Sequence, residues 1–279
     1  MAKMFQIKRI LFPVDFSPRS RGAVAYVEAL AGRFDAEVIL LHTIEPNTYN
    51  TPLAEEPLLQ PEEFDKFFGA DLKYLRVQRL IESGEVAQTI VAHAASLSVD
   101  LIMMPTQGLG TFRRLILGST TTKVLHDAEC PVWTGVHLED APPLEAISYR
   151  RILCAVDLQA ASVLVLDWAR HLADEYQAEL TLLHAIPESD SYRPRNAREE
   201  ALAREAVRSR LGDLAKAAGA QAVVRVEQGQ PAKAAARVAG EIGADLLVIG
   251  RRAVPGPAGR LEATAYAMIR QSPCPVVSV

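Results

Sequence analysis

Cysteine is scarce in this sequence. Three occur in 279 residues, Cys130, Cys154 and Cys274, and no two form a CxxC pair. That is too few to staple a chain of this size and suits a reducing cytoplasm. Basic charge is not in excess either: 30 Lys and Arg against 34 Asp and Glu leave a net charge of −4. No positive field draws the chain to nucleic acid or to an anionic membrane surface. No apolar run approaches the roughly 18–20 residues that span a bilayer. Met1 to Asp15 lacks the long apolar core of a secretory signal. Also missing are a Walker Gly-Lys-Ser/Thr, a complete GxGxxG fingerprint and a Gly-x-Ser-x-Gly elbow. What remains is globular composition, 49% hydrophobic and 23% charged, at a length that fits two domains of about 140 residues. The expectation is a soluble cytoplasmic protein with no membrane and no nucleic acid partner.

The chain repeats itself. Arg9-Ile-Leu-Phe-Pro-Val-Asp15 returns 142 residues later as Arg151-Ile-Leu-Cys-Ala-Val-Asp157, and Ala36-Glu-Val-Ile-Leu-Leu-His42 returns at the same offset as Ala178-Glu-Leu-Thr-Leu-Leu-His184. Asp100-Leu-Ile-Met-Met104 matches Asp245-Leu-Leu-Val-Ile249 at 145, and Cys130-Pro-Val132 matches Cys274-Pro-Val276 at 144. A period this long marks a duplicated domain, not a solenoid. Residues 1–137 and 148–279 are the two copies, and the Pro- and acid-rich stretch 138–147 reads as the linker.

Within each copy, strand and helix signals alternate. Ile10–Val14, Val38–Leu41, Leu101–Met104 and Pro131–Trp133 are short apolar runs of the kind buried on both faces. Ser17-Pro18 sets a hydroxyl cap before a proline at the first helical position. Ala23, Val27, Leu30, Ala31 and Phe34 then keep the spacing of one buried helix face, and Val165, Ala169, Leu172 and Tyr176 repeat it. Further helices are read over Val86–Ala95, Thr120–His126 and about Ala197–Ala218. The pattern predicts an α/β fold, a parallel sheet covered by helices on both faces with right-handed crossovers. Ligands then bind beyond the carboxyl ends of the strands, at Asp15, Thr43 and the loop after Pro105.

That loop carries the chemical signal. From Pro105 to Thr122 it holds Gly108, Gly110 and then Gly118-Ser119-Thr120-Thr121-Thr122 at the start of a helix. Bare N–H groups and the helix dipole favour phosphate there. A tight turn is the plainer reading of the same glycines, and both stay open on the residues alone.

Ile10–Ser17, Leu40-Leu-His-Thr-Ile44, Gly84 before a helix, Asp100–Met104, the glycine loop and Cys130-Pro-Val132 together resemble the universal stress protein family, here as a tandem pair covering nearly the whole chain. The resemblance implies two Rossmann-like, adenine nucleotide alpha-hydrolase-like domains, each a five-stranded parallel sheet. The family's nucleotide binders show Gly-x2-Gly-x9-Gly-Ser/Thr; here the stretch reads Pro105-x2-Gly108-x9-Gly118-Ser119, with proline at the first position. Proline removes an N–H and fixes φ near −65°. By position, the resemblance implies that Asp15, Pro13, Val14 and Thr43 meet adenine and ribose. Thr106, Gly108, Gly118, Ser119 and Thr120 then surround ribose and phosphates of ATP or a related adenine nucleotide, with Mg²⁺. It also implies pairing through the last strands, within the chain and in a homo-oligomer.

The second copy departs further. Arg251–Arg260 replaces the loop after Gly250, and Glu262-Ala263 stands where Gly118-Ser119 stands; a carboxylate there repels phosphate. The expectation is that this half does not bind ATP. His42 and His184 read as structural hydrogen bonders, because no base–nucleophile pair accompanies them. His126, Asp127 and Cys130 match no zinc spacing, and Trp133 and Trp168 read as core or interface aromatics. Glu45–Ala70, with four prolines and six acids, reads as irregular with a short helix near Glu62–Phe68. The leading function is a nucleotide-responsive stress or regulatory protein. A scaffold indifferent to nucleotide is the alternative, and a slow ATPase the second, against which the missing Walker lysine stands.

Overall fold

The computed structural model describes residues 5–45, 66–68, 71–106, 117–135, 138, 142–187, 196–251, 253–254, 260–261 and 263–279. The chain forms two compact units, Met1–Ile147 and Ser148–Val279. The first compact unit therefore takes in the stretch 138–147.

In the first unit the strands are β1 (Arg9–Pro13), β2 (Glu37–Ile44), β3 (Val77–Ser83), β4 (Leu101–Pro105) and β5 (Val132–Gly135). Their order is β3-β2-β1-β4-β5 and every pairing is parallel. The second unit repeats this with β6 (Arg151–Ala155), β7 (Glu179–Ile186), β8 (Ala222–Gln228), β9 (Leu246–Ile249) and β12 (Val276–Ser278). There the order is β8-β7-β6-β9-β12, again parallel. A two-stranded antiparallel ribbon, β10 (Ala253–Val254) with β11 (Arg260–Leu261), follows β9. In each sheet the chain runs outward from the central strand and returns past it. The crevice between β1 and β4, and that between β6 and β9, is the switch point where ligands settle in open sheets.

The apolar runs are buried as expected, with all five residues of β4 and the middle of β1 and β2 out of water. Sequence patterning passed over β3 and β8. They are edge strands whose residues are half-buried or exposed, with Val226 alone buried, so no continuous apolar run marks them. Helix Pro18–Phe34 begins as read: Ser17 caps it by accepting from Ser20 N–H, with Pro18 first. Ala23, Val27, Leu30 and Ala31 are its buried face. Trp133 is fully buried with its ring 5.2 Å from that of Tyr26 on the same helix. After β5 the chain lies against this helix so closely that a Cβ on Gly22 would stand 1.8 Å from the Leu138 carbonyl oxygen.

The duplicated Asp-Leu motif has a structural purpose. Asp100 Oδ2 accepts from the backbone N–H groups of Lys8 and Arg9 at 2.7 and 3.0 Å, and Asp245 Oδ2 does the same for Arg150 and Arg151 at 2.8 and 2.9 Å. Each aspartate thus satisfies the donors at the start of the central strand. Removing it leaves two donors to water at a solvent-exposed site, so Asp100→Ala lowers unfolding free energy by about 1–2 kcal/mol. Urea denaturation should show Asp245→Ala losing a similar amount, with Asp100→Asn in between.

Candidate functional site

The turn after β1 is built from a carboxylate and a serine. Asp15 Oδ1 accepts from Ser17 N–H at 3.1 Å and from Ser20 Oγ–H at 2.6 Å. Between them Phe16 takes a left-handed backbone, φ 58°. A bulky residue there costs about 1–2 kcal/mol, and the two bonds to Asp15 hold it. The second unit duplicates the device. Asp157 Oδ1 accepts from Gln159 N–H and Ser162 Oγ–H, both at 2.9 Å, around Leu158 at φ 60°. Ser20 escaped the sequence reading and Ser162 drew notice only as a serine without a Gly-x-Ser-x-Gly elbow, although the two lie 142 residues apart like the aspartates.

Beside this turn, Val14 N–H donates to Leu41 O and Val14 O accepts from His42 Nδ1 at 2.9 Å. A carbonyl only accepts, so Nδ1 carries the proton. His184 makes the same bond to Val156 O at 2.8 Å. Both histidines therefore tie the second strand of their sheet to the end of the first. Thr43 does not follow β2 but lies within it, paired with Glu82 of β3. β2 outlasts β1 because β3 continues to pair with it as far as Ser83. By register, Pro13 pairs with Leu41, which sets Thr43 level with Asp15.

Across the switch point, Pro105 is the last residue of β4 and pairs with Gly135. Its missing N–H falls at a strand end, and its carbonyl accepts from Thr121 Oγ at 3.2 Å. Thr106 N–H donates to Gly135 O, and Gly118 N–H donates to Thr106 O at 2.9 Å. The second bond closes the base of the loop and brings Thr106 and Gly118 together. Gly118 is the N-cap of helix Ser119–Asp127, with no side-chain cap and no acid in the first turn. Ser119 and Thr120 are its first residues, and their N–H groups have no helical partner by construction. Gly108 lies outside the described residues, as do the residues from 107 to 116. In the second unit Arg251 N–H donates to Val279 O, as Thr106 does to Gly135, and helix Ala263–Gln271 has the same length as Ser119–Asp127. Glu262 lies outside the described residues.

Features special to the first unit surround Asp15. Phe16 meets His42 and Phe67 edge-on with centroids 4.7 and 4.8 Å apart, and Phe68 lies 5.6 Å from Phe12. The Arg21 guanidinium sits 4.4 Å from the Phe67 ring and donates to Phe67 O at 2.7 Å. Of the short helix read near Glu62–Phe68, only 66–68 lies among the described residues. Among the described residues no group of three His, Cys, Asp or Glu side chains gathers to hold a metal. Burial pushes the Cys274 thiol up to about 11, and Cys154 higher still. Both stay protonated and inert at neutral pH.

The family model for the universal stress protein family matches residues 6–134 and 148–279. The chain belongs to that family as a tandem two-domain member. A universal stress protein of Mycolicibacterium smegmatis is 27% identical over 281 residues, covering 94% of this chain and 93% of its own. One from Thermus aquaticus is 34% identical over 131 residues, 45% of this chain and 96% of its own. The crystal structure of a universal stress protein from Archaeoglobus fulgidus superimposes with a TM-score of 0.72 at 23% identity, covering 98% of both chains. That likeness establishes the shared α/β architecture.

Glu85 links two helices near the site. It caps Val86–Ser96 by accepting from Gln88 N–H at 2.8 Å and pairs with Lys123 of the Ser119 helix at 3.1 Å. Partial burial alone raises its pKa, but the Gln88 N–H and the Lys123 ammonium together hold it below the usual carboxylate range. A depressed folded-state pKa adds stability above the unfolded value near 4.5 and loses it as pH falls through the folded value. Solvent screening keeps the contribution small. Glu85→Gln should therefore cost about 0.5 kcal/mol at pH 7. In denaturation curves taken across pH, that difference should close once both proteins are below the folded pKa of Glu85.

Proposed function

We propose that the first unit binds ATP or a related adenine nucleotide and that binding biases assembly or partner contacts. The observation that carries this reading is the bare start of helix Ser119–Asp127. It is capped only by Gly118, free of acid in its first turn and fastened through Thr106 at the end of β4. Its N–H groups and the Ser119 and Thr120 hydroxyls supply donors for phosphate. Asp15, at the end of the neighbouring strand, supplies an acceptor for ribose hydroxyls. Thr43 and the backbone of Pro13 and Val14 line the base. Val14 has both backbone groups engaged within the protein, so its contribution to the base is the second lone pair of its carbonyl and its apolar side chain. Mg²⁺ would be held by phosphate oxygens and water, as is usual for that ion.

The residues support binding more than turnover. No lysine of the Walker type and no water-activating base stand in the described part of the site. Regulation then works by linkage: the nucleotide favours whichever state of the protein binds it better. The scaffold alternative draws on a different observation. The Asp15 turn recurs intact at Asp157 in the half whose sequence has Glu262 where the first has Gly118, so the acid serves the fold with or without a ligand.

Titrating the purified chain with ATP and Mg²⁺ tests the proposal. At 100 times the dissociation constant, binding should add about 2.7 kcal/mol to unfolding, with no phosphate released on the same timescale. Gly118→Glu puts a carboxylate against the phosphates and should weaken binding at least about tenfold. Sub-millimolar binding that survives this change would assign a site to the second unit. No binding to the unaltered protein leaves the scaffold.

A further inference from the structure

We propose that Ser20 is a positioning residue for Asp15 and sets the preference of the first unit for a ligand with a ribose diol. The inference rests on the nucleotide reading of that unit. Ser20 is 1% exposed, and its hydroxyl is a node of the turn. It donates to Asp15 Oδ1 at 2.6 Å, stands 3.4 Å from the Asp15 N–H as acceptor, and its own N–H bonds Ser17 Oγ at 3.2 Å. With Ser17 N–H also on Oδ1, one carboxylate oxygen receives two donors while Oδ2 has no hydrogen bond among the described residues. A carboxylate fastened through one oxygen cannot rotate without breaking both bonds. Oδ2 is thereby held in one place beyond the end of β1, where two neighbouring hydroxyls of a sugar can donate to it. Freed of Ser20, the same carboxylate samples other rotamers and presents Oδ2 in the right place only part of the time.

The second unit provides an internal control. Ser162 holds Asp157 in the same manner at 2.9 Å, so a purely structural role predicts the same consequences for both serines. The positioning role separates them. Full-length protein, Ser20→Ala and Ser162→Ala are compared for urea stability and for binding of ATP and 2′,3′-dideoxy-ATP with Mg²⁺. Both variants should lose comparable stability. Ser20→Ala should bind ATP about tenfold more weakly, while its affinity for the dideoxy nucleotide changes little, so that the two affinities converge. Ser162→Ala should leave both affinities as they were. If Ser20→Ala fails to fold, Ser20→Cys, of similar shape but a weak donor, serves in its place with the same expected convergence.

Equal loss of both affinities in Ser20→Ala, or unchanged affinities, overturns the positioning role and leaves nucleotide binding standing. An unaltered protein that binds ATP and the dideoxy nucleotide equally overturns it too. An unaltered protein that binds neither nucleotide removes the nucleotide reading and this inference with it.

Discussion

The central strand of each half is held at both ends by an aspartate, and the rest of the structure is arranged around those four carboxylates. At its start β1 is fixed by Asp100, whose Oδ2 gathers two backbone donors. At its end it is fixed by Asp15, whose Oδ1 gathers a backbone donor and the Ser20 hydroxyl. β6 has the same pair in Asp245 and Asp157. The terminal groups of a strand lie beyond the sheet ladder, so they bond to water or to partners from elsewhere in the chain, and here aspartates supply the partners. Asp100 acts at the amino edge of the sheet and Asp15 at the carboxyl edge, beside the switch point. The candidate site therefore lies beside a turn that the termination of the strand already requires.

Duplication separates what the fold needs from what a ligand needs. The aspartates, their serines, the left-handed residue between them, and the histidine bonds to Val14 and Val156 recur in both halves. The bond from Gly84 N–H to Ile44 O recurs as Gly229 to Ile186. None of these by itself argues for a ligand. Differences among the described residues include the other side of the crevice, the aromatic cluster and the helix Ala197–Ala217 between β7 and β8. The first unit has Gly118 before an uncapped helix and the Phe16–Phe67–Arg21 contacts, where the second has a short ribbon after β9 and Leu158 in place of Phe16. The halves agree where backbone geometry is at stake and part where a polyanion would be met.

Much of this was legible in the residues. The repeat, the buried strands and the Ser17-Pro18 helix start follow from periodicity and composition, and each depends on local chemistry that a short stretch contains. Thr43 was misplaced because strand length is set by a neighbour: β3 is nearly invisible in hydropathy yet extends β2 past the end of β1. The partners of Asp100 lie 91 and 92 residues away, so no local pattern could reveal them. Ser20 lay within reach, since a hydroxyl five residues after each aspartate repeats at the period of the duplication. It was missed because a serine inside the first turn of a helix has a sufficient local explanation.

Pro105 shows why the loop pattern cannot be read position by position. In the pattern, the first glycine reads as a loop residue whose backbone must turn freely. Here position 105 is still strand, buried and paired with Gly135, and the broad φ range open to a strand extends to the value that proline already has. The N–H that proline lacks falls at the last rung of β4, and the turn begins at Thr106, whose own N–H reaches Gly135 O. Substitution of glycine by proline therefore moves no donor away from the helix start. Gly118 has likewise committed its N–H to Thr106, so an anion at this site would be held by the next amides, at Ser119 and Thr120. On the proposed reading, what position 118 contributes is a helix start without negative charge, and the sequence places a glutamate at 262 in the other half.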